Sequence, residues 1–371
     1  MTTTMRAALL EAPGSLSVVD DVEIADPRSG EVLVRVSHCG VCHSDLSVYD
    51  GSFPSAVPTV LGHEASGVVE AVGTEVHSVA VGDPVILTPV PNCGRCYFCV
   101  RSQPTLCQVH SIALFTGLLP DGTTPLSRHG SPVFRGLATA AWGELTIMPE
   151  VAVVKVDPDV PLDVACVIGC AVQTGVGAVL NTAAVEPGAT VLVLGAGGIG
   201  IAVTQGARIA GAAMIVVSDP SAERRETALR FGATHVLDPE AVDVAAAVYE
   251  LTGGIGMDYC FEAAGRAALI ETGIAASRNG GTTVCVGAPP VDQGISIPGV
   301  VGFGATEKRL IGCLLGSSNS HREIPRLLSL WKAGRLDLEA MITARRPIDE
   351  VVDALDDMQA RAGLRTVLDV G

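Results

Sequence analysis

The chain is short of positive charge. Its 371 residues carry 24 Lys and Arg against 40 Asp and Glu, a net charge of −16. Nucleic acids and anionic membranes are polyanions, so this balance argues against both as partners, and the acidity itself speaks only to solubility. A hydrophobic run of membrane-spanning length is missing too. The longest, Val191–Val203, is interrupted by glycines and falls short of the about 20 residues a bilayer needs. The opening MTTTMRAALLEAPG has neither the basic start nor the long apolar core of a signal peptide, and a cytoplasmic protein is expected. There is no solenoid-type repeat and no low-complexity segment. An even set of cysteines is also absent: there are 11, an odd number without an export signal. Disulfides are therefore set aside, and clustered thiols are read first as metal ligands.

The length accommodates two domains, and a hydrophobic fraction of 48% suits a packed interior. Extended segments are expected over Met5–Leu10, Leu16–Ile24 and Glu31–Cys39, then over 82–90. Residues 117–143 contain Pro and Gly without lasting periodicity and read as a long loop. Strands resume over Ala138–Lys155, and Pro161–Asn181 reads as a helical connection. Beyond residue 172 the pattern changes to alternating strand and helix. Helices are expected at Ser221–Gly232, Val242–Leu251, Ile324–Trp331 and Ile348–Met358. Strands are expected at Val236–Asp238, Asp258–Ala264, Thr282–Gly287 and Leu310–Leu315. This contrast between a β-rich first part and a βα part marks a domain boundary.

The strongest signal of the second part is VLVLGAGGIG, residues 191–200. An aliphatic run reads as a buried parallel strand, and Ile199–Ala210 as the helix after it. Gly195, Gly197 and Gly200 are spaced G-x-G-x-x-G. The first permits a tight turn, the second a close backbone approach to a pyrophosphate, and the third close packing of helix on strand. A second aliphatic run, Met214–Val217, ends at Ser218–Asp219, about 20 residues on, where an acid receives a ribose 2′-hydroxyl. That favours NAD over NADP. The competing reading is an ordinary βαβ turn with Asp219 on the surface.

Two sets of thiols carry the metal argument. Cys93, Cys96, Cys99 and Cys107 read C-x₂-C-x₂-C-x₇-C, spacing that converges on one tetrahedral zinc and leaves no open position, a structural site. The alternatives are an iron–sulfur cluster or four unrelated core cysteines. Cys42, His63 and Cys170 are a plausible three-ligand set with one position open for water or substrate, as a zinc that polarises an alcohol oxygen requires. Spacing alone does not unite residues so far apart.

Together, GVCHSD at 40–45, GHEASGVV at 62–69, the four-cysteine lobe, IGCAVQTGVG at 168–177, GAGGIG at 195–200 and LRTVLDV at 364–370 resemble the zinc-dependent medium-chain alcohol dehydrogenases, long-lobe branch, over essentially the whole chain. The resemblance implies a mostly β GroES-like catalytic domain over 1–171 with its zinc lobe at 91–110. It also implies a Rossmann-type doubly wound parallel sheet over 172–314 and a return to the catalytic domain over 315–371. It makes Cys42, His63 and Cys170 the catalytic zinc ligands, with a second, structural zinc on the lobe. Ser44 holds the substrate hydroxyl, and Asp45 and Glu64 stand behind the metal. Thr174 lies against the nicotinamide, His43 and Arg365 contact the pyrophosphate, and Gly198 joins the other glycines of the loop. Asp219 and Arg224 flank the adenosine ribose.

In relatives a His often stands three residues beyond the relay serine; here it is Ser47, which leaves the final proton acceptor open. Pro89 and Gly136 stand where pocket-narrowing aromatics are common. Phe53, Leu106, Ile112, Leu137 and Leu314 keep the lining apolar, which implies longer, aromatic or otherwise bulky alcohols. One alternative is a thiol-adduct (S-hydroxymethyl) formaldehyde dehydrogenase, whose charged outer-pocket positions correspond to Phe53 and Ser111. Another is a non-enzymatic zinc- and NAD-binding structural or redox-sensing protein. The family pairs its cofactor domains edge to edge, so a homodimer or homotetramer is expected. Cys39, Cys166, Cys260, Cys285 and Cys313 lie in or beside apolar runs and read as core.

Overall fold

The computed structural model describes residues 2–297 and 299–371, which form two compact units. One runs through Cys170 and resumes over Asn319–Gly371; the other is Ala171–Ser318. The chain thus returns to the first unit four residues later than the expected 315, after the turn at Leu315–Ser317.

The first unit is built from β-branched strands that bury one face. Thr2–Ala12 and Ser15–Ala25 pair antiparallel and close a small barrel with Leu126–Arg128, Ser131–Arg135 and Thr59–Val60. Beside it lies a seven-stranded sheet ordered Val153–Lys155, Pro84–Leu87, Glu64–Val72, Glu31–Gly40, Arg365–Asp369, Ile342–Pro347, with Leu145–Pro149 also on Glu31–Gly40. Glu31–Val34 are buried on both faces and only Arg35 is exposed, as suits a central strand paired on either side. The expected loop over 117–143 is corrected here. It contains a hairpin, turned at His129–Gly130, whose strands close the barrel. Closure removes free sheet edges, so short and partly polar strands are tolerated.

The second unit is one parallel six-stranded sheet: Thr190–Leu194, Met214–Ser218, His235–Leu237, Met257–Glu262, Ser277–Cys285 and Arg309–Gly312, in spatial order 3-2-1-4-5-6 along the chain. This is the doubly wound order, with the topological switch beside the first strand. Helices Gly198–Ala210 and Ala222–Phe231 follow the first two strands, each stopped by a left-handed glycine, Gly211 and Gly232. Pro161–Asn181 is not one helix. Helical turns at Leu162–Gly169 end at Cys170, whose backbone leaves the helical region, and Ala171–Gly177 starts anew in the second unit. Cys39, Cys166 and Cys260 are buried as expected, whereas Cys285 and Cys313, beside the sheet-edge strand Arg309–Gly312, are only half-buried. No single helix among the described residues is long and apolar enough to cross a membrane.

Candidate active site

Sheet register assembles the first cluster. Gly40 lies opposite Glu64 on one side and Val367 on the other, so the strand ends leading to Cys42, from His63 and from Arg365 are neighbours. A Cβ on Gly40 would stand 2.2 Å from Glu64 Oε2, so glycine is what makes room for that carboxylate. Cys170 arrives from the helical turn above the sheet. A Cβ on Gly169 would strike Leu87 O at 2.6 Å, so this glycine also lets the backbone approach closely. Gly62, at φ +85°, packs on buried Trp142 and aims His63. The ligand atoms of Cys42, His63 and Cys170 then lie within 4.8 Å of one another.

Buried charge surrounds these donors. Asp45, fully buried on the short helix His43–Tyr49, accepts from the Cys42 and Gly62 backbone N–H groups at 3.1 and 3.0 Å and sits 3.1 Å from His63 Nδ1. One carboxylate thereby fixes two ligand-bearing turns and, by engaging Nδ1, turns His63 Nε2 toward Cys42. Burial opposes charge on His63, but Asp45 and Cys42 overcome it and raise its pKa well above the ordinary value. Cys42 is held well below an ordinary thiol by the hydrogen bond from Cys170, against burial, and Cys170 is raised as the partner that keeps the proton. A metal taking all three would displace protons, as thiolate and imidazole sites do. Arg365 is almost fully buried. It donates to Val41 O at 2.8 Å and lies 3.3 Å from Glu64 Oε2. Sequence reasoning aimed it at a pyrophosphate; these contacts place it behind the thiols, with buried Nε still without a partner. Ser44 Oγ is 3.9 Å from Cys42 Sγ, and His43 is exposed.

The second cluster is local. Cys93, Cys96, Cys99 and Cys107 bring their sulfurs within 4.8 Å of one another, with Cys96 Sγ 3.4 Å from Cys99 and 4.0 Å from Cys107. Four sulfurs about 2.3 Å from one zinc stand about 3.8 Å apart, so the spacing suits a closed tetrahedral site and is far too long for disulfides. The Cys99 backbone N–H lowers the Cys96 thiol to about 6, while burial pushes Cys99 up to about 12.

In the second unit the glycines divide the work as their spacing suggests. Gly195 has φ +100°, and a Cβ on Gly200 would meet Gly195 O at 1.9 Å, so strand and helix touch through glycine. A Cβ on Gly197 would meet only Arg224 Nη1 at 3.9 Å, which leaves a cradle at the N-terminus of helix Gly198–Ala210. Asp219 is buried at the end of Met214–Ser218, accepting from Ala196 N at 2.8 Å and Ser221 N at 2.9 Å. Each oxygen keeps a lone pair for a ribose hydroxyl. Thr174 is buried on Ala171–Gly177. This donor set and cradle fit zinc and a dinucleotide respectively.

The apolar lining is partly as expected. Phe53 and Phe115 stack with ring centroids 5.9 Å apart, and Leu106, Ile112 and Phe115 are exposed in the first unit, as Leu314 is in the second. Sequence reasoning missed Phe115. Gly136 is a correction: a Cβ there would strike Leu61 Cδ2 and Val60 O, both at 2.7 Å, so glycine serves strand packing and not pocket width. Pro89 is buried, and the Ser111 hydroxyl is tied to Cys107 O.

Comparison with known proteins agrees with this geometry. The alcohol dehydrogenase GroES-like domain model matches residues 28–158, and the zinc-binding dehydrogenase model matches 198–333. An S-(hydroxymethyl)glutathione dehydrogenase of Escherichia coli O1:K1 / APEC is 37% identical over 98% of this chain and 99% of its own. Two crystal structures superpose over the full length of both chains at TM-score 0.93. They are an alcohol dehydrogenase zinc-binding domain protein from Burkholderia ambifaria, 35% identical, and benzyl alcohol dehydrogenase from Acinetobacter calcoaceticus, 30% identical. With both zinc-type donor sets and the doubly wound sheet in place, the chain belongs to the zinc-dependent medium-chain alcohol dehydrogenases.

Proposed function

We propose that this NAD- and zinc-dependent oxidoreductase interconverts bulky apolar alcohols, aromatic ones foremost, with their aldehydes or ketones. The observation that carries the substrate class is the apolar, uncharged outer wall of the first unit: Phe53 stacked on Phe115, with Leu106 and Ile112 exposed nearby in sequence. Zinc held by Cys42, His63 and Cys170 would supply a Lewis acid that lowers the proton affinity of an alcohol, and NAD would accept the hydride.

The chain's own residues do the rest. The Ser44 hydroxyl receives the alcohol proton and passes it to solvent; with Ser47 three residues on, no imidazole follows it. Asp45 holds His63 in one tautomer, and the Glu64–Arg365 pair sets the charge behind the two thiols. Asp219 receives the ribose hydroxyls and disfavours a 2′-phosphate, with Arg224 beside the Gly197 cradle. In the first unit the exposed His43 is the donor for the pyrophosphate, since Arg365 is buried behind the thiols. The exposed edge strand Arg309–Gly312, paired on one side only, supports a homo-oligomer formed by strand addition, and we place the protein in the cytoplasm.

A second reading rests on the 37% identity to the E. coli enzyme, whose name specifies a hydroxymethyl adduct of glutathione. That charged thiol needs ionic partners in the outer pocket, where Phe53 and the backbone-tied Ser111 offer none. The test is NAD⁺ reduction by zinc-loaded protein with ethanol, octanol, benzyl and cinnamyl alcohols, secondary alcohols and S-hydroxymethylglutathione. The highest kcat/KM is expected with benzyl or cinnamyl alcohol. Preference for ethanol or for the glutathione adduct overturns the proposal.

A further inference from the structure

The turn that follows the sixth strand of the second unit is held in an unfavourable backbone. Leu315, Gly316 and Ser317 are left-handed in succession, at φ 45°, 65° and 50°, and two of the three carry a Cβ. Such residues persist only where their surroundings enforce the shape, and they collect where function needs one. Part of the enforcement is glycine on glycine. A Cβ on Gly316 would stand 2.4 Å from Gln173 O and 2.7 Å from Gly177 Cα, so the turn and helix Ala171–Gly177 meet with no side chain between them. Gly175, two residues from Gly177 and so on the opposite face, touches helix Gly198–Ala210 in the same way. A Cβ there would stand 2.5 Å from Ala202 Cβ and 2.7 Å from Ile199 O. Buried Thr174 rides on a helix fixed between the two.

The rest of the enforcement comes from the continuation of that helix, which is irregular. After Gly177 it widens from α to π: the Ala183 N–H bonds Ala178 O, five residues back, at 2.9 Å. Successive residues of an α-helix point about 100° apart; a wider turn narrows that angle, and Asn181 and Thr182 both reach the strained turn. Asn181 Nδ2 donates to Ser318 Oγ at 3.2 Å and to Gly316 O at 3.4 Å. Thr182 Oγ1 lies 2.9 Å from Ser317 Oγ and donates to Cys313 Sγ at 3.4 Å. Two adjacent side chains thus tie Gly316, Ser317 and Ser318.

We infer that Asn181 and Thr182 are positioning residues for hydride transfer. Their hydrogen bonds hold the Leu315–Ser317 turn, and the turn, through its glycine contact, holds the helix that presents Thr174 to the nicotinamide. The inference rests on the NAD-dependent reading above, with Thr174 against that ring. Neither side chain has to touch the cofactor. A displaced helix shifts the ring relative to the alcohol carbon, and misplacement by about 1 Å is enough to slow a transfer step. Releasing the clamp also releases the left-handed backbone. The two effects on stability oppose each other, so the consequence falls on rate.

The test is the zinc-loaded double variant Asn181→Ala with Thr182→Val, read first by the fluorescence of NADH. Wild-type protein is expected to enhance and blue-shift the emission of the reduced nicotinamide. The variant is expected to bind NADH within about threefold of wild type, because the glycine-rich loop and Asp219 are untouched, yet with a smaller enhancement and shift. With benzyl alcohol its kcat is expected to fall about tenfold at a similar KM for NAD⁺, with Tm within about 2 °C of wild type. Thr182→Ser, which restores a hydroxyl, is expected to recover kcat that Thr182→Val loses. Wild-type NADH emission in the double variant overturns the inference, and so does a fall in kcat that only tracks a loss of folded protein. Wild-type protein that leaves NADH emission unchanged overturns the NAD reading itself, and the inference with it. Should the double variant fail to fold, Thr182→Val alone decides by the same readouts.

Discussion

The two thiol clusters meet the same chemical need by opposite routes. Cys93, Cys96, Cys99 and Cys107 sit in one short lobe with exposed neighbours such as Tyr97, Val100 and Leu106 and no buried carboxylate, so any metal there substitutes for a hydrophobic core. Cys42, His63 and Cys170 come from three distant segments brought together by a seven-stranded sheet, and Asp45, Glu64 and Arg365 are buried around them. The first cluster would make structure from a metal. The second is a finished structure whose three donors would hold a metal with one position open. Four soft donors saturate zinc, whereas three leave a place for chemistry.

Exchanging the fates of the two clusters is the sharpest way to break this contrast. Cys170→Ala is expected to lose several kcal/mol of transition-state stabilisation, about 10³-fold or more in kcat/KM, while zinc content falls from two per chain to one and Tm changes little. Cys96→Ser is expected to do the reverse: a markedly lower Tm and protease sensitivity near residue 100, with the folded fraction keeping its catalytic zinc by metal analysis. If Cys96→Ser left stability untouched, the lobe would not be a structural site. Asp45→Asn sharpens the comparison from within the sheet, because it removes the partner of His63 and not a ligand. A 10–100-fold weaker hold on one zinc, measured by chelator competition, is expected, with the lobe zinc unaffected. Smallest is Asp219→Ala, in a unit that holds neither cluster. NAD affinity should fall about tenfold and NADP use rise, read by KM for each dinucleotide at unchanged zinc content.

Local signals were legible in the sequence, and assembled ones were not. The four-cysteine lobe and G-x-G-x-x-G are written in consecutive residues whose spacing states their geometry, and the strands of the second unit follow their aliphatic runs to within a few residues. The hairpin at 126–135 is different. Leu126–Arg128 and Ser131–Arg135 are short and partly polar, and only barrel closure makes them strands. Gly136 misled for a related reason: an absent side chain reads as space, yet Leu61 and Val60 already fill it. Arg135 gave no signal at all, since nothing in a linear pattern marks an arginine as buried. Arg365 carried a family role that its observed contacts with Val41 and Glu64 modify.

Cys170 closes the first unit, and the second unit, Ala171–Ser318, is one uninterrupted stretch of chain. In the language of genes, the glycine-rich loop and the buried acid Asp219 lie in a single cassette, and every residue of both thiol clusters is encoded outside it. A recombination falling just after codon 170 and just before codon 319 would exchange the cofactor module and leave both ligand sets untouched. Coenzyme preference and metal chemistry can therefore be inherited, and engineered, separately.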